Sequence, residues 1–229
     1  MKKDELYPDL KEIAKQSSYE QIFQFFYTLA QVRYATFKQL HPLNHRVVRE
    51  KYLVKFCELG YLKQHELVKA YSITKKAKQL LALNGFNIKV LQNDFTGIIL
   101  THALKITDCL LKLQGSPEFL QVFYPVFREP PDYLGKPILI PDFCVVWKKP
   151  GAYKIQFGEV ETEKPDWEQY LFLKREKYEQ IAGDQNTYYK WWKVWAENLS
   201  LPFPKEADFC FSVVCFGGIK KEWEGWHFE

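Results

Sequence analysis

The chain has 229 residues and a net charge of +4, from 32 basic and 28 acidic side chains. With 47% hydrophobic and 26% charged residues it can bury a sizeable core without disulfide staples, which excludes disordered and collagen-like chains. The charge is too small to mark a nucleic-acid binder by itself, and no window approaches the roughly 18 uninterrupted apolar residues of a membrane span. Five cysteines, at 57, 109, 144, 210 and 215, form no CxxC motif. That pattern predicts reduced thiols in a cytoplasmic protein and argues against a zinc ribbon. The opening Met-Lys-Lys-Asp-Glu leads into charge rather than an apolar h-region, so no secretory signal is expected.

The first third of the chain reads as short helices. Ser18, followed three residues later by Gln21, has the capping-box spacing and predicts a helix over 19–32. A second short helix is expected over 34–40, stopped by His41-Pro42. Asn44 is a candidate cap for a third, over 45–59, which Gly60 can end. Its inner face would be Val48, Tyr52, Phe56 and Leu59, with Arg46, Val47, Glu50, Lys51 and Val54 opposite. Segments 60–63 and 68–73 read as two strands around a turn, and Thr74 opens a helix over 75–83. The stretch 84–97 carries Gly, Asn and Asp with weak periodicity and reads as a linker.

Three helices followed by a β-hairpin is the order of a winged helix. The run from Ala70 to Leu81 resembles the Y-x-L-T-x-x-G ending common in bacterial winged-helix regulators, with Ala77 where glycine is usual. In such a unit the third helix enters the major groove and the wing lies over the backbone. Arg46, Arg49, Lys51 and Lys55 on the third helix, with Lys75 and Lys76 after the wing, are the candidate DNA-binding cations. Phosphate contacts of this kind would make affinity steeply salt dependent. An ordinary solvated face, or a winged helix used for protein contacts, fits the same residues.

Beyond the linker a helix is expected over 98–113, then an irregular stretch over 115–137 whose prolines forbid a long helix. Strands follow over 138–147 and 153–161, helices over 165–181 and 186–199, and a last strand over 209–216. Helix, strands, helix, strand is a mixed α/β order.

Pro141-Asp142 opens one of these strands and Glu159-Val160-Glu161 closes the next. Alternation puts Glu159 and Glu161 on one face and Val160 on the other. If the strands are antiparallel neighbours, Asp142 and both glutamates meet at one sheet end. Such carboxylates repel unless solvent, a basic partner or a divalent cation offsets them, and hard oxygen ligands suit Mg²⁺ or Mn²⁺. Lys174 lies four residues from both Tyr170 and Tyr178, within the apolar stripe of the following helix, and should point at the sheet rather than at water. Carboxylates that hold a metal, with a lysine that stabilises developing charge, are what metal-dependent phosphodiester cleavage requires. Solvated strand ends and a lysine snorkelling outward are the competing readings.

These motifs, in this order, resemble the PD-(D/E)xK nuclease-like superfamily and, within it, the plasmid replication-relaxation family, which joins an N-terminal winged helix to a nuclease-like domain. The resemblance runs through His102 to Asp108, Pro141-Asp142, Glu159-Val160-Glu161-Thr162, and Lys174 with Tyr178. It implies a winged-helix domain over 1–85, a linker over 86–97 and an α-β-β-β-α-β nuclease-like domain over 98–229. It further implies a mobile-element protein acting on double-stranded DNA, with a second copy of itself or other plasmid proteins as further partners. Asp142, Glu159 and Glu161 would be metal ligands, and these three with Lys174 the catalytic set. The departure is Glu161, which stands where the superfamily carries its signature lysine. A lysine relocated to the next helix, here Lys174, is one outcome of such a change. Lost cleavage with retained DNA binding, the domain serving as a scaffold, is the other.

Overall fold

The computed structural model describes residues 3–43, 47–88, 100–124, 127–128, 137–150, 152–161, 166–183, 210–216, 223 and 226–228. It is a mixed α+β chain that divides into two compact units, Met1–Ile88 with Asp94–Lys112, and Lys89–Asn93 with Leu113–Glu229. Among the described residues no helix is long and apolar enough to cross a membrane. Cys57, Cys109 and Cys144 are free thiols.

Unit 1 starts with short turns, α1 (Lys3–Leu6), a 3-10 turn (Pro8–Leu10) and α2 (Lys11–Ala14), that bury Leu10 and Ile13. Then comes α3 (Tyr19–Val32), whose cap is Ser18, accepting from the Gln21 amide at 3.2 Å. The reciprocal half of a capping box is not made there, since the Gln21 side-chain oxygen is buried without a hydrogen-bond partner. The complete box lies further on. Strand β1 (Ala35–Thr36) leads into α4 (Phe37–Leu40), where Thr36 accepts from the Gln39 amide and the Gln39 side chain accepts from the Thr36 amide. The helix expected over 34–40 is therefore half as long, and its first residues pair in a sheet instead.

The third helix is also shorter than expected: α5 (Glu50–Glu58) begins after an extended Arg49 at φ −128°, ψ 140°. Val47 and Val48 are both buried. Adjacent helical residues point about 100° apart, so burying both favours the turn that replaces the helix start, and Val47 faces inward rather than outward. The expected cap Asn44 lies outside the described residues. Leu59 closes the helix, and Gly60 follows at φ 75°, the left-handed conformation that ends helices cheaply. Strands β2 (Leu62–His65) and β3 (Ala70–Ile73) pair antiparallel, β1 adds to the other edge of β3, and α6 (Lys75–Leu83) follows on a Thr74 cap. The core is aromatic, with Phe25, Phe26 and Phe56 fully buried and Phe26 stacked on Tyr61.

Helix α7 (Leu100–Gln114), expected to open the second domain, groups with unit 1 over all but its last two residues. It buries Ile106, Cys109 and Leu110 and makes specific polar contacts. The buried Thr107 hydroxyl donates to the carbonyl of Tyr34 at 2.5 Å, and Gln39 Nε2 donates to Leu104 O at 2.9 Å and to Asp108 at 2.8 Å.

Unit 2 is built on a five-stranded sheet of order β10-β9-β8-β7-β4. Its strands are β4 (Phe119–Phe123), β7 (Phe143–Lys149), β8 (Ala152–Val160), β9 (Cys210–Phe216) and β10 (Trp226–Phe228). Strand β7 pairs antiparallel with β4 on one side and with β8 on the other, whereas β9 runs parallel to β8 and β10 parallel to β9. Two short strands, β5 (Phe127–Arg128) and β6 (Pro137–Leu139), form a separate pair. The strand expected over 138–147 is thus two, parted at Ile140-Pro141-Asp142, and β4 lies inside the stretch read as irregular. The helix expected over 165–181 is α8 (Trp167–Gly183). The one expected over 186–199 lies outside the described residues.

Candidate functional site

The sheet of unit 2 fixes the positions of three acidic residues. The β7–β8 register pairs Phe143 with Gly158, so the chain just before β7 lies beside the end of β8. There Asp142 Oδ2 accepts from the Val160 amide at 2.7 Å. Gly158 is required at that crossing. A Cβ on it would come within 2.0 Å of the fully buried Phe143 ring, which lies across the position a side chain would fill.

Glu159 is completely buried and Glu161 nearly so. Strand alternation sends both to the side on which Lys174 of α8 meets them. The Lys174 ammonium donates to Glu159 Oε2 at 2.5 Å and to Glu161 Oε1 at 3.0 Å. Its side chain is only 11% exposed, and the Tyr170 ring covers it at 4.7 Å. Tyr178, one helical turn on, donates its hydroxyl to Glu159 Oε1 at 2.6 Å, and its ring packs on Phe157. Leu171, Lys174 and Tyr178 form the inward stripe of α8 by their spacing of three and four. Leu171 and Tyr178 are fully buried, whereas Tyr170, Phe172 and Leu173 are exposed.

Burial pushes the Glu159 carboxyl up to about 7, against the lowering pull of the Lys174 charge. Burial also pulls Lys174 down, but the Glu159, Asp142 and Glu161 carboxylates more than offset it and hold the ammonium above the usual lysine range. Tyr178 is raised by burial and by the Glu159 charge beside it. Removing one partner of a buried pair typically costs about 3–5 kcal/mol, because the other charge is left uncompensated.

The convergence expected of Asp142, Glu159, Glu161 and Lys174 is therefore present, with Tyr178 as a further member. Its four-residue step from Lys174 was legible, but nothing in the sequence said that its hydroxyl would take a carboxylate oxygen. The arrangement does not fit a divalent metal. Among the described residues no three His, Cys, Asp or Glu side chains are grouped so as to hold one. Both Glu159 oxygens are occupied, and the ammonium stands between the two glutamates. His102 and Asp108 are on α7 in unit 1, where Asp108 accepts from Gln39.

The candidate DNA-binding cations lie on unit 1, except that Arg46 is outside the described residues. Arg49, Lys51, Lys55 and Lys75 are exposed. Lys55 pairs with Glu58 at 3.0 Å, one turn along α5. Lys76 is committed within the unit: it reaches Asp9 at 2.7 Å and Leu59 O at 2.9 Å and lies over the Tyr61 ring. The tip of the β2–β3 hairpin carries a fully exposed Leu67 between exposed Glu66 and the half-buried Val68. Comparison with family models, with curated proteins and with solved structures returned no match.

Proposed function

We propose that the chain is a double-stranded-DNA-binding regulator of a plasmid or other mobile element, in which unit 1 acts as a winged helix and unit 2 is a nuclease-like scaffold. The observation that carries the first half is the element order of unit 1. Helix, strand, two helices and a hairpin, with sheet order β1-β3-β2, support the winged-helix reading, and α5 is the helix whose Lys51, Val54 and Lys55 are solvent-facing. The strand and helix order β4-β7-β8-α8-β9, with acidic residues at the β7–β8 end, supports a PD-(D/E)xK-like unit 2. The closed ion-pair cluster favours its scaffold role over metal-dependent cleavage.

Fluorescence anisotropy on a labelled duplex over a salt series tests the DNA reading. Affinity should fall steeply with salt, and Lys51→Ala and Lys75→Ala should each flatten the log–log slope by about 0.9, the contribution of one phosphate contact. Lys76→Ala should leave the slope unchanged, because that ammonium is already held by Asp9. Slopes insensitive to both Lys51 and Lys75 would reject DNA contact through this face. Chelator should not alter binding. The cleavage reading has its own test: nicking of supercoiled DNA with Mg²⁺ or Mn²⁺ that is lost in Asp142→Ala would install it in place of the scaffold.

A further inference from the structure

Two carboxylates two residues apart at the end of one strand, both withdrawn from water, need positive charge between them. In most such sites that charge could be supplied by a free ion or by a side chain. Here the position is filled from within the fold. The Lys174 ammonium bridges Glu159 Oε2 and Glu161 Oε1 at 2.5 and 3.0 Å, and the Tyr170 ring lies 4.7 Å from it. Tyr178 takes the other Glu159 oxygen at 2.6 Å, and the Val160 amide takes an Asp142 oxygen at 2.7 Å. A divalent ion chelated by the two glutamates would need the volume the ammonium fills, and two cations at that spacing repel.

We propose that Lys174 is the resident cation of this site, tethered to α8, so that lysine and divalent metal are mutually exclusive and removal of the ammonium exposes a latent Mn²⁺ or Mg²⁺ site made by Glu159 and Glu161. The inference concerns unit 2 alone and is read without DNA, so its failure and that of the DNA-binding reading are separable.

Mn²⁺ titration of the full chain, followed by the electron paramagnetic resonance signal of the free ion, tests it. Wild-type protein and Lys174→Arg should leave the free-ion signal undiminished. Lys174→Ala should bind a single Mn²⁺ per chain, and Lys174→Ala with Glu159→Gln should lose that binding. If Lys174→Ala alone is unfolded by circular dichroism, added Mn²⁺ should restore its spectrum, since the ion replaces the missing charge. Uptake of Mn²⁺ by the wild type that is abolished by Glu159→Gln would overturn the proposal. So would a Lys174→Ala protein that is folded without binding Mn²⁺, or one that stays unfolded in its presence.

Discussion

At the scale of single residues, unit 2 turns on two residues that neighbour each other in sequence. Gly158 leaves room for the Phe143 ring, and Glu159 begins the ion-pair cluster. Gly158→Ala should destabilise the chain by about 1–3 kcal/mol, the range for overpacking a tight core. The Phe143 ring is fully buried and cannot swing into solvent to relieve the clash. Chemical denaturation measures the loss, and pairing the change with Phe143→Leu should recover much of it. Glu159 makes the pH dependence. Its carboxyl is raised from 4.5 to about 7 in the folded chain, chiefly by burial. The folded state thus binds a proton more readily than the unfolded state, and this contribution is complete below about pH 4.5 and lost as pH rises through about 7. Glu159→Gln cannot ionise. The difference in urea midpoint between wild type and variant should therefore shift against the wild type as pH rises across that window. A difference that stays flat, or moves the other way, would show that burial does not raise the Glu159 carboxyl in the folded chain. The acidic residues and the inward lysine were legible because strand alternation and helical spacing are sequence properties. The role of Gly158 was not, because it depends on a ring fifteen residues earlier in the chain.

At the scale of elements, periodicity located the helices better than it located their starts. Helix α3 and helix α6 coincide with the spans read from Ser18 and Thr74, whose hydroxyls accept from Gln21 and Ala77 amides. The misreadings fall where a short strand or turn interrupts an apolar run. Ala35 and Thr36 carry no alternation long enough to mark a strand, yet the β3 edge offers unpaired backbone groups and captures them. Thr36 then serves both elements, ending β1 and capping α4. Thr36→Ala should cost about 1 kcal/mol, the usual loss for an N-cap hydroxyl, because it removes the hydroxyl's bonds to the Gln39 backbone amide and to the Gln39 side-chain oxygen. Ser18→Ala should cost less, since only one of the two reciprocal bonds is made at that cap. Thermal melting of the two variants side by side decides the order. The tail strand β10 could not be read either: Trp226–Phe228 is three residues long, and its parallel partner is β9.

At the scale of the molecule, the division into units differs from the one that composition suggested. The break in composition over 84–97 suggested that everything after it belongs to the second domain. Most of α7 instead groups with unit 1, and the cause is local chemistry that no composition reports. Thr107 is fully buried within a helix, and its hydroxyl donates to the carbonyl of Tyr34, just past the end of α3, at 2.5 Å. Gln39 completes the α4 capping box with its carbonyl oxygen and spends its amide on Leu104 O and Asp108. A fragment ending at Ile88 loses all of these α7 partners at once. At about 1 kcal/mol for each hydrogen bond to Thr107 and Gln39, the deficit is at least about 3 kcal/mol before any apolar surface is counted. A fragment ending at Gln114 retains them. The longer fragment should therefore unfold cooperatively at a higher denaturant midpoint, and Thr107→Val in it should lower that midpoint part of the way to the shorter fragment's. Val is close to isosteric with Thr, so that variant separates the hydroxyl's hydrogen bonds from the packing of α7. Equal midpoints for the two fragments would mean that α7 contributes nothing to unit 1, and the boundary would return to the break in composition.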